Sequence, residues 1–346
     1  MLSAKHRVRL VCFADKKDSA GLKLSCDIPC DVRALEVDSY DQLWTHRRAM
    51  SQRIKEAMDG NDILQCETSF MARFLPKGLD IPSILTMHQI YPLYFWRDFK
   101  ITKNPASLLR LAKNVLDESL TLNRFRAIVF FSKHDQKILS ALVRNSVLTK
   151  IIPIGIDLNY FSVPLEERFS FDVCFAGSFA NAPNRDAVVY FFSRILPLIL
   201  KDHPDFSMAV VGVSLPESLR QMWGNKNITF ASDVLDVRTY LSASKIVINP
   251  MRTGSGMRTK ILEAWAMAKA VVSTHAGCEG IEAVDGKNIL IADSPVDFAN
   301  QITRLLKDVG LRRLLEQEGH ASVQLHHNRI QTTEKLGELY REILTS

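Results

Sequence analysis

Pro250-Met251-Arg252-Thr253-Gly254-Ser255-Gly256-Met257-Arg258-Thr259-Lys260, running on into Ile261-Leu262-Glu263-Ala264, decides how this chain is read. The apolar run Lys245-Ile246-Val247-Ile248-Asn249 just before it predicts a buried parallel strand. Two glycines then free the backbone, and apolar spacing after Thr259 predicts an amphipathic helix. A strand, a glycine loop and a helix in that order point free N–H groups and the positive end of a helix dipole into one crevice. Arg252, Arg258 and Lys260 set three cations around it. This chemistry suits a phosphate or diphosphate.

Outward from that stretch, short apolar runs alternate with helical patterns, which predicts parallel sheets with crossover helices. In the first half, strands are expected at Val8–Phe13, Asp62–Cys66, Ser83–Met87 and Ala127–Phe131, with helices at Trp44–Met58 and Ser107–Arg124. In the second, strands are expected at Asp172–Ala176, Met208–Val211, Ile228–Phe230 and Ala270–Ser273. Helices are expected there at Asp186–Leu200, Val237–Ala243, Val296–Asp308, Leu311–Gln324 and Thr332–Leu344, and a short strand ends at Ile291. The halves part near Ile152–Asp157, with linker text through Pro164–Arg168. The expected architecture is α/β, two doubly wound Rossmann-like domains facing a central cleft. Residues 1–160 form the first domain, 161–330 the second, and 331–346 a C-terminal helix that packs back on the first.

The chain has 346 residues, 47% hydrophobic and 24% charged, with a net charge of +6, as soluble globular proteins have. No basic block interleaved with aromatics points to nucleic acid. Six cysteines are scattered without a CxxC pair, so no metal site is expected and a reducing, cytoplasmic setting is. Cys12 and Cys174 lie in apolar runs and are expected to be buried thiols. No stretch is apolar and long enough to span a bilayer, and the N-terminus does not read as a signal peptide.

The second half resembles the retaining, nucleotide-sugar-dependent glycosyltransferases of family 4 (group 1), which have the GT-B fold. The resemblance rests on Arg252–Met267, then Val271-Val272-Ser273-Thr274, Gly277-Cys278-Glu279-Gly280-Ile281 and Asp285-Gly286-Lys287-Asn288. Phe175-Ala176-Gly177-Ser178 and Pro183-Asn184-Arg185-Asp186-Ala187 precede these. In the first half, Val129–Asp135 and the linker Ile152–Asp157 are similar to family segments, with Ile154 where Asn is usual.

The resemblance implies transfer of a sugar from a nucleoside diphosphate donor to a hydroxyl acceptor, lipid-linked or polysaccharide. It implies no metal and no other cofactor. Lys260 matches the cation that contacts the donor diphosphate, and Glu263 the residue that binds the ribose hydroxyls. Gly177 and Ser178 match the loop by the phosphates, and Arg252, Gly254, Ser255, Gly256, Met257 and Arg258 the rest of the donor loop. His88 matches the group beside the transferred sugar, which with Lys260 makes the candidate catalytic pair. Ser255 stands where the family's first motif Glu is usual, eight residues before Glu263. Ala268 and Ala270 replace a usual Gly and Pro in a helix-to-strand turn and are expected to be tolerated. Residues 2–11 resemble the end of the family's first helix and its second strand, so the first strand and its Gly-rich loop are not among the matches. The expected consequence is two unpaired inner sheet edges.

Other readings stand beside these. Lys260 could be a solvated helix lysine, Glu263 its ion-pair partner three residues on, and His88 a hydrogen-bonded strand-end residue. Arg252 and Arg258 could be surface charges. Tyr91, Tyr94, Phe95 and Trp96 suit an acceptor platform, a membrane-facing patch at the inner membrane face, or core packing. For the whole chain the alternative is a GT-B relative that binds nucleotide sugar or a protein partner without turnover. A nicotinamide-dependent oxidoreductase is disfavoured, since no GxGxxG follows the first strand. A GT-B epimerase lacks motif support.

Overall fold

The computed structural model describes residues 6–15, 30–37, 40–162, 170–223 and 227–345. Cys26 and the linker text 164–168 lie outside these. Contacts divide the chain into two compact units. The first comprises Met1–Gln89, Lys113–Ile152 and Ile330–Ser346; the second comprises Ile90–Ala112 and Pro153–Arg329.

The second unit is a six-stranded parallel sheet of β7 (Phe171–Ala176), β8 (Met208–Gly212), β9 (Ile228–Ser232), β10 (Ser244–Asn249), β11 (Ala270–Ser273) and β12 (Leu290–Ile291). Their order across the sheet is β12-β11-β10-β7-β8-β9. From β7 the chain winds outward through β8 and β9, then returns to the other side of β7 with β10. β7 and β10 therefore flank the topological switch, where open α/β sheets bind ligands at the carboxyl ends of their strands. Alternate strand residues serve opposite faces. Val173, Phe175, Val210, Ile248 and Val272 pack with Phe191, Ile195 and Phe298, while Cys174, Ala176, Val211, Val247 and Val271 pack with Leu262, Trp265 and Val323. Burial of both faces is why these strands read as unbroken apolar runs. Cys174 is buried, which pushes its thiol up to about 12.

The expected helix Asp186–Leu200 is three pieces: Ala182–Tyr190, a π turn at Phe191–Ile195, and Leu196–Asp202. Pro197 cannot donate to the preceding turn, and a new helical segment starts around it.

In the first unit, β3 (Leu64–Glu67), β4 (Ser83–Met87), β5 (Ala127–Phe130) and β6 (Leu148–Ile151) form a parallel sheet in that order. The helix Arg329–Thr345 covers it with Leu339 and Ile343 against Ile84, Ala127 and Val129, and the Tyr340 hydroxyl donates to Gln65 Oε1. β1 (Val8–Asp15) and β2 (Cys30–Val37) form a separate parallel pair. Cys12 on β1 is only partly buried, unlike the expected core thiol, because this pair carries one small sheet's worth of cover.

Two substitutions test the packing behind the 250–264 stretch. A Cβ on Gly319 would stand 2.5 Å from Trp265 Cδ1, in a ring that is fully buried. Gly319→Ala is expected to destabilise by about 1–3 kcal/mol through overpacking. Ala268, after the helix Thr259–Ala266, holds φ of +49°. The turn tolerates the residue but at a cost in the left-handed region, so Ala268→Gly is expected to stabilise by about 1 kcal/mol. Thermal unfolding midpoints that fall for the first variant and rise for the second check both; no change in either overturns the assignment.

Candidate functional site

Parallel pairing of β7 with β10, with Ile246 opposite Val173 and Val247 opposite Cys174, brings two loops to the same end of the sheet. One is Gly177-Ser178 after β7. The other is Pro250–Arg258 after β10, entering the helix Thr259–Ala266 without a side-chain cap at its N-terminus. Gly254 and Gly256 hold φ of +98° and +84°, which L side chains rarely adopt.

Lys260 crosses from that helix to the β7 loop. Its Nζ donates to Asn184 Oδ1 at 2.7 Å and lies 4.3 Å over the Phe175 ring. A Cβ on Gly177 would stand 3.0 Å from the same Nζ, so glycine leaves the room the ammonium occupies. Asn184 in turn donates to the Ser178 carbonyl at 2.7 Å, tying the loop to the cation. Burial, assisted by the charge of Arg258, brings the Lys260 ammonium down to about 7. Burial likewise pushes the Glu263 carboxyl up, with Lys260 opposing. Lys260 is no solvated surface lysine, and its hydrogen bond goes to Asn184, not to Glu263.

The two arginines are used differently. Arg252 forms a two-bond ion pair with Asp186, at 3.1 and 2.5 Å, and stacks 4.3 Å from the Tyr190 ring. Arg258 is buried and donates to the Ala276 carbonyl at 3.0 and 3.2 Å and to the Ser255 carbonyl at 3.3 Å. It shapes the loop. Met257 packs its side chain onto the core. Ser255 Oγ accepts from the Ile90 amide at 3.1 Å, and Arg97 donates to the Gly254 carbonyl at 2.7 Å while pairing with Glu279 at 2.7 and 2.6 Å. Gly177, Ser178, Arg252, Gly254, Ser255, Gly256, Met257, Arg258, Lys260 and Glu263 thus all belong to the second unit.

His88 belongs to the first unit. Its Nε2 lies 2.5 Å from Glu67 Oε2, and its ring meets Phe131 edge-on at 5.0 Å. Gln65 and Thr86 donate to the other Glu67 oxygen. The carboxylate–imidazole pair sits at the carboxyl ends of β3 and β4, whose residues Glu67 and Thr86 are in register. Sequence reasoning missed Glu67 and Arg97, and it placed Asn184, Asp186 and Glu279 in matching segments without giving them a role. Glu67 could have been found as an acidic residue ending an apolar run, but nothing in the sequence pairs it with His88. Tyr91, Tyr94, Phe95 and Trp96 lie on a helix, Tyr91–Thr102.

Among the described residues, no group of three or more His, Cys, Asp or Glu is placed to hold a metal ion. Nor is any helix among them long and apolar enough to cross a membrane.

Residues 170–308 match the family described as glycosyl transferases group 1. An uncharacterized 44.6 kDa protein in the cps region of Klebsiella pneumoniae is 27% identical over 164 residues, 42% of each chain. The match therefore spans less than half of that curated relative. Among solved structures, sucrose-phosphate synthase from Thermosynechococcus elongatus superposes with a TM-score of 0.75 at 16% identity, covering 98% of this chain and 100% of that one. Anabaena HepE in complex with UDP-glucose superposes at 0.75 with 14% identity, covering 97% and 100%. The α/β fold is that of these two solved structures, and the stretch that matches the glycosyl transferases group 1 family lies within the second unit.

An ammonium brought down to about 7 makes anion binding pH-dependent. A bound diphosphate favours the charged ammonium and raises its pKa. Below pH 7 Lys260 is already charged and contributes no pH dependence. Above it, binding takes up a proton, and affinity for a nucleoside diphosphate is expected to fall by up to about tenfold per pH unit. Calorimetry at pH 8 in buffers of different ionisation enthalpy measures the uptake; its persistence in Lys260→Met would refute the assignment.

Proposed function

We propose that the protein is a retaining glycosyltransferase of family 4 that moves a sugar from a nucleoside diphosphate donor to a hydroxyl acceptor. The observation that carries this is the ammonium of Lys260 at the β7–β10 switch, bonded to Asn184 beside the uncapped helix start at Thr259. In glycosyl transfer, the bond between the anomeric carbon and the diphosphate oxygen breaks with its electron pair staying on the diphosphate, while the acceptor oxygen bonds to the anomeric carbon and its proton passes to the departing diphosphate. Lys260 and the helix-terminal N–H groups stabilise that charge, and no metal is needed to supply it. Glu263, one turn along the helix, takes the ribose hydroxyls. His88, its ring held by Glu67, is proposed for the transferred sugar.

The UDP-glucose held by HepE makes UDP-sugars the first donors to try. The cps-region relative supports a polysaccharide or glycolipid acceptor. Peripheral membrane contact is supported by the helix Pro105–Leu122, where Leu109, Leu116 and Leu120 are exposed along one stripe with Lys113. Binding of nucleotide sugar without turnover is favoured by one observation: Ser255, at the usual Glu position, has its oxygen engaged by the Ile90 amide.

A thermal-shift panel of nucleoside diphosphates and their sugars, followed by transfer assays, tests the proposal. Lys260→Met removes a cation that is costly to bury, so the variant is expected to melt higher than wild type. Its donor turnover is expected to fall about 10²–10³-fold. Turnover at the wild-type rate would remove Lys260 from the mechanism, and no shift with any nucleotide would sink the proposal itself.

A further inference from the structure

Arg97 comes from the first half of the sequence, yet its guanidinium is committed to the donor loop. It sits on the helix Tyr91–Thr102, part of the second unit. One nitrogen donates both to the Gly254 carbonyl at 2.7 Å and to Glu279 Oε2 at 2.7 Å; the other donates to Glu279 Oε1 at 2.6 Å. Both partners of the ion pair are largely buried, each side chain 18% exposed. Such a two-pronged pair has little rotational freedom. Glu279 lies in the Gly277–Ile281 segment, whose neighbouring Ala276 carbonyl is held by Arg258.

A trans peptide is planar, and its C=O points opposite to the N–H of the next residue. Arg97 pulling on the Gly254 carbonyl therefore turns the Ser255 N–H away from Arg97. Arg258, pulling on the Ser255 carbonyl at 3.3 Å, does the same for the Gly256 N–H. The Ile90 amide on Ser255 Oγ fixes the side chain between them. Gly254 and Gly256, at φ of +98° and +84°, could otherwise take many conformations. With both carbonyls held by arginines, the Ser255 and Gly256 N–H groups each point away from the arginine that holds their peptide, and neighbouring N–H groups left free in this way can bind an anion in a backbone concavity.

We propose that Arg97 is a positioning residue for the donor diphosphate: clamped by Glu279, it holds the Gly254 carbonyl so that the Ser255 and Gly256 amides face the phosphates. This rests on the glycosyltransferase proposal only for the identity of the anion. Hydrogen exchange of the full chain, read on peptides covering 250–258, is compared for wild type, Arg97→Gln, Arg97→Lys and Glu279→Gln. Affinity for UDP and GDP, kcat and KM are measured on the same samples. Arg97→Gln is expected to speed exchange of the loop amides and weaken nucleoside diphosphate binding about 10- to 100-fold. Arg97→Lys, which keeps one contact and loses the fork, is expected to fall between, as is Glu279→Gln. A merely structural role would lower the melting temperature and leave the affinity of the folded fraction unchanged. Loop exchange and affinity within twofold of wild type in Arg97→Lys and Glu279→Gln, or lost affinity without faster loop exchange, overturn the proposal. Failure of wild type to bind any nucleoside diphosphate refutes the donor assignment instead, and loop exchange still decides whether Arg97 sets the loop.

Discussion

The site at the β7–β10 switch depends on one ammonium kept where charge is costly. Lys260 is held by an amide oxygen and a ring face, both neutral. A carboxylate at that distance would keep the lysine fully charged and would repel an incoming anion. Asn184 and Phe175 hold the nitrogen in place at much lower electrostatic cost. The proposed diphosphate would then meet a cation with no carboxylate hydrogen-bonded to it, in surroundings where Coulomb attraction is weakly screened. The arrangement exists only because β10 returns beside β7, so that a helix after one strand can reach a loop after the other.

Arg252 and Arg258 show why counting cations in a motif is a poor guide to their work. Asp186 balances Arg252, and the Tyr190 ring covers it. Arg258 is directed at carbonyls on both sides of the loop. Only geometry separates a cation that attracts a ligand from one that shapes the backbone around it. The same holds on the other unit, where Glu67 and its two donors fix the His88 ring.

Much of the fold was legible because a strand buried on both faces leaves a continuous apolar string, as β4, β5, β7, β8, β10 and β11 do. β2, with the text Cys-Asp-Val-Arg-Ala-Leu-Glu-Val, was not legible, since its charged residues belong to a two-stranded pair that leaves polar positions exposed. β6, Leu-Thr-Lys-Ile, is an edge strand whose residues are all only partly buried. Loop identity at the site was legible, because two glycines between a strand and a helix have few uses. The partners were not. Asn184 lies 76 residues from Lys260 and Glu279 lies 182 from Arg97, and such polar pairs carry no periodic signal.

Division of the sequence and division of the contacts also disagree in one informative place. The text from 90 to 112 sits between first-unit strands β4 and β5, yet its contacts belong to the second unit. The reason is local and polar: the Ile90 amide and Arg97 both bond to the loop at 254–255. Residues 170–308, which match the group 1 family, contain that loop, Lys260 and Glu263, but neither of those two donors. A loop with two left-handed glycines has little conformational preference of its own. Its shape must be imposed by its neighbours, and here Arg258, inside the matched region, shares that work with Ile90 and Arg97 from far upstream of it. The transferable part of the site is therefore the loop and its cation. The helix Tyr91–Thr102, whose Arg97 also holds the loop, lies outside the matched residues.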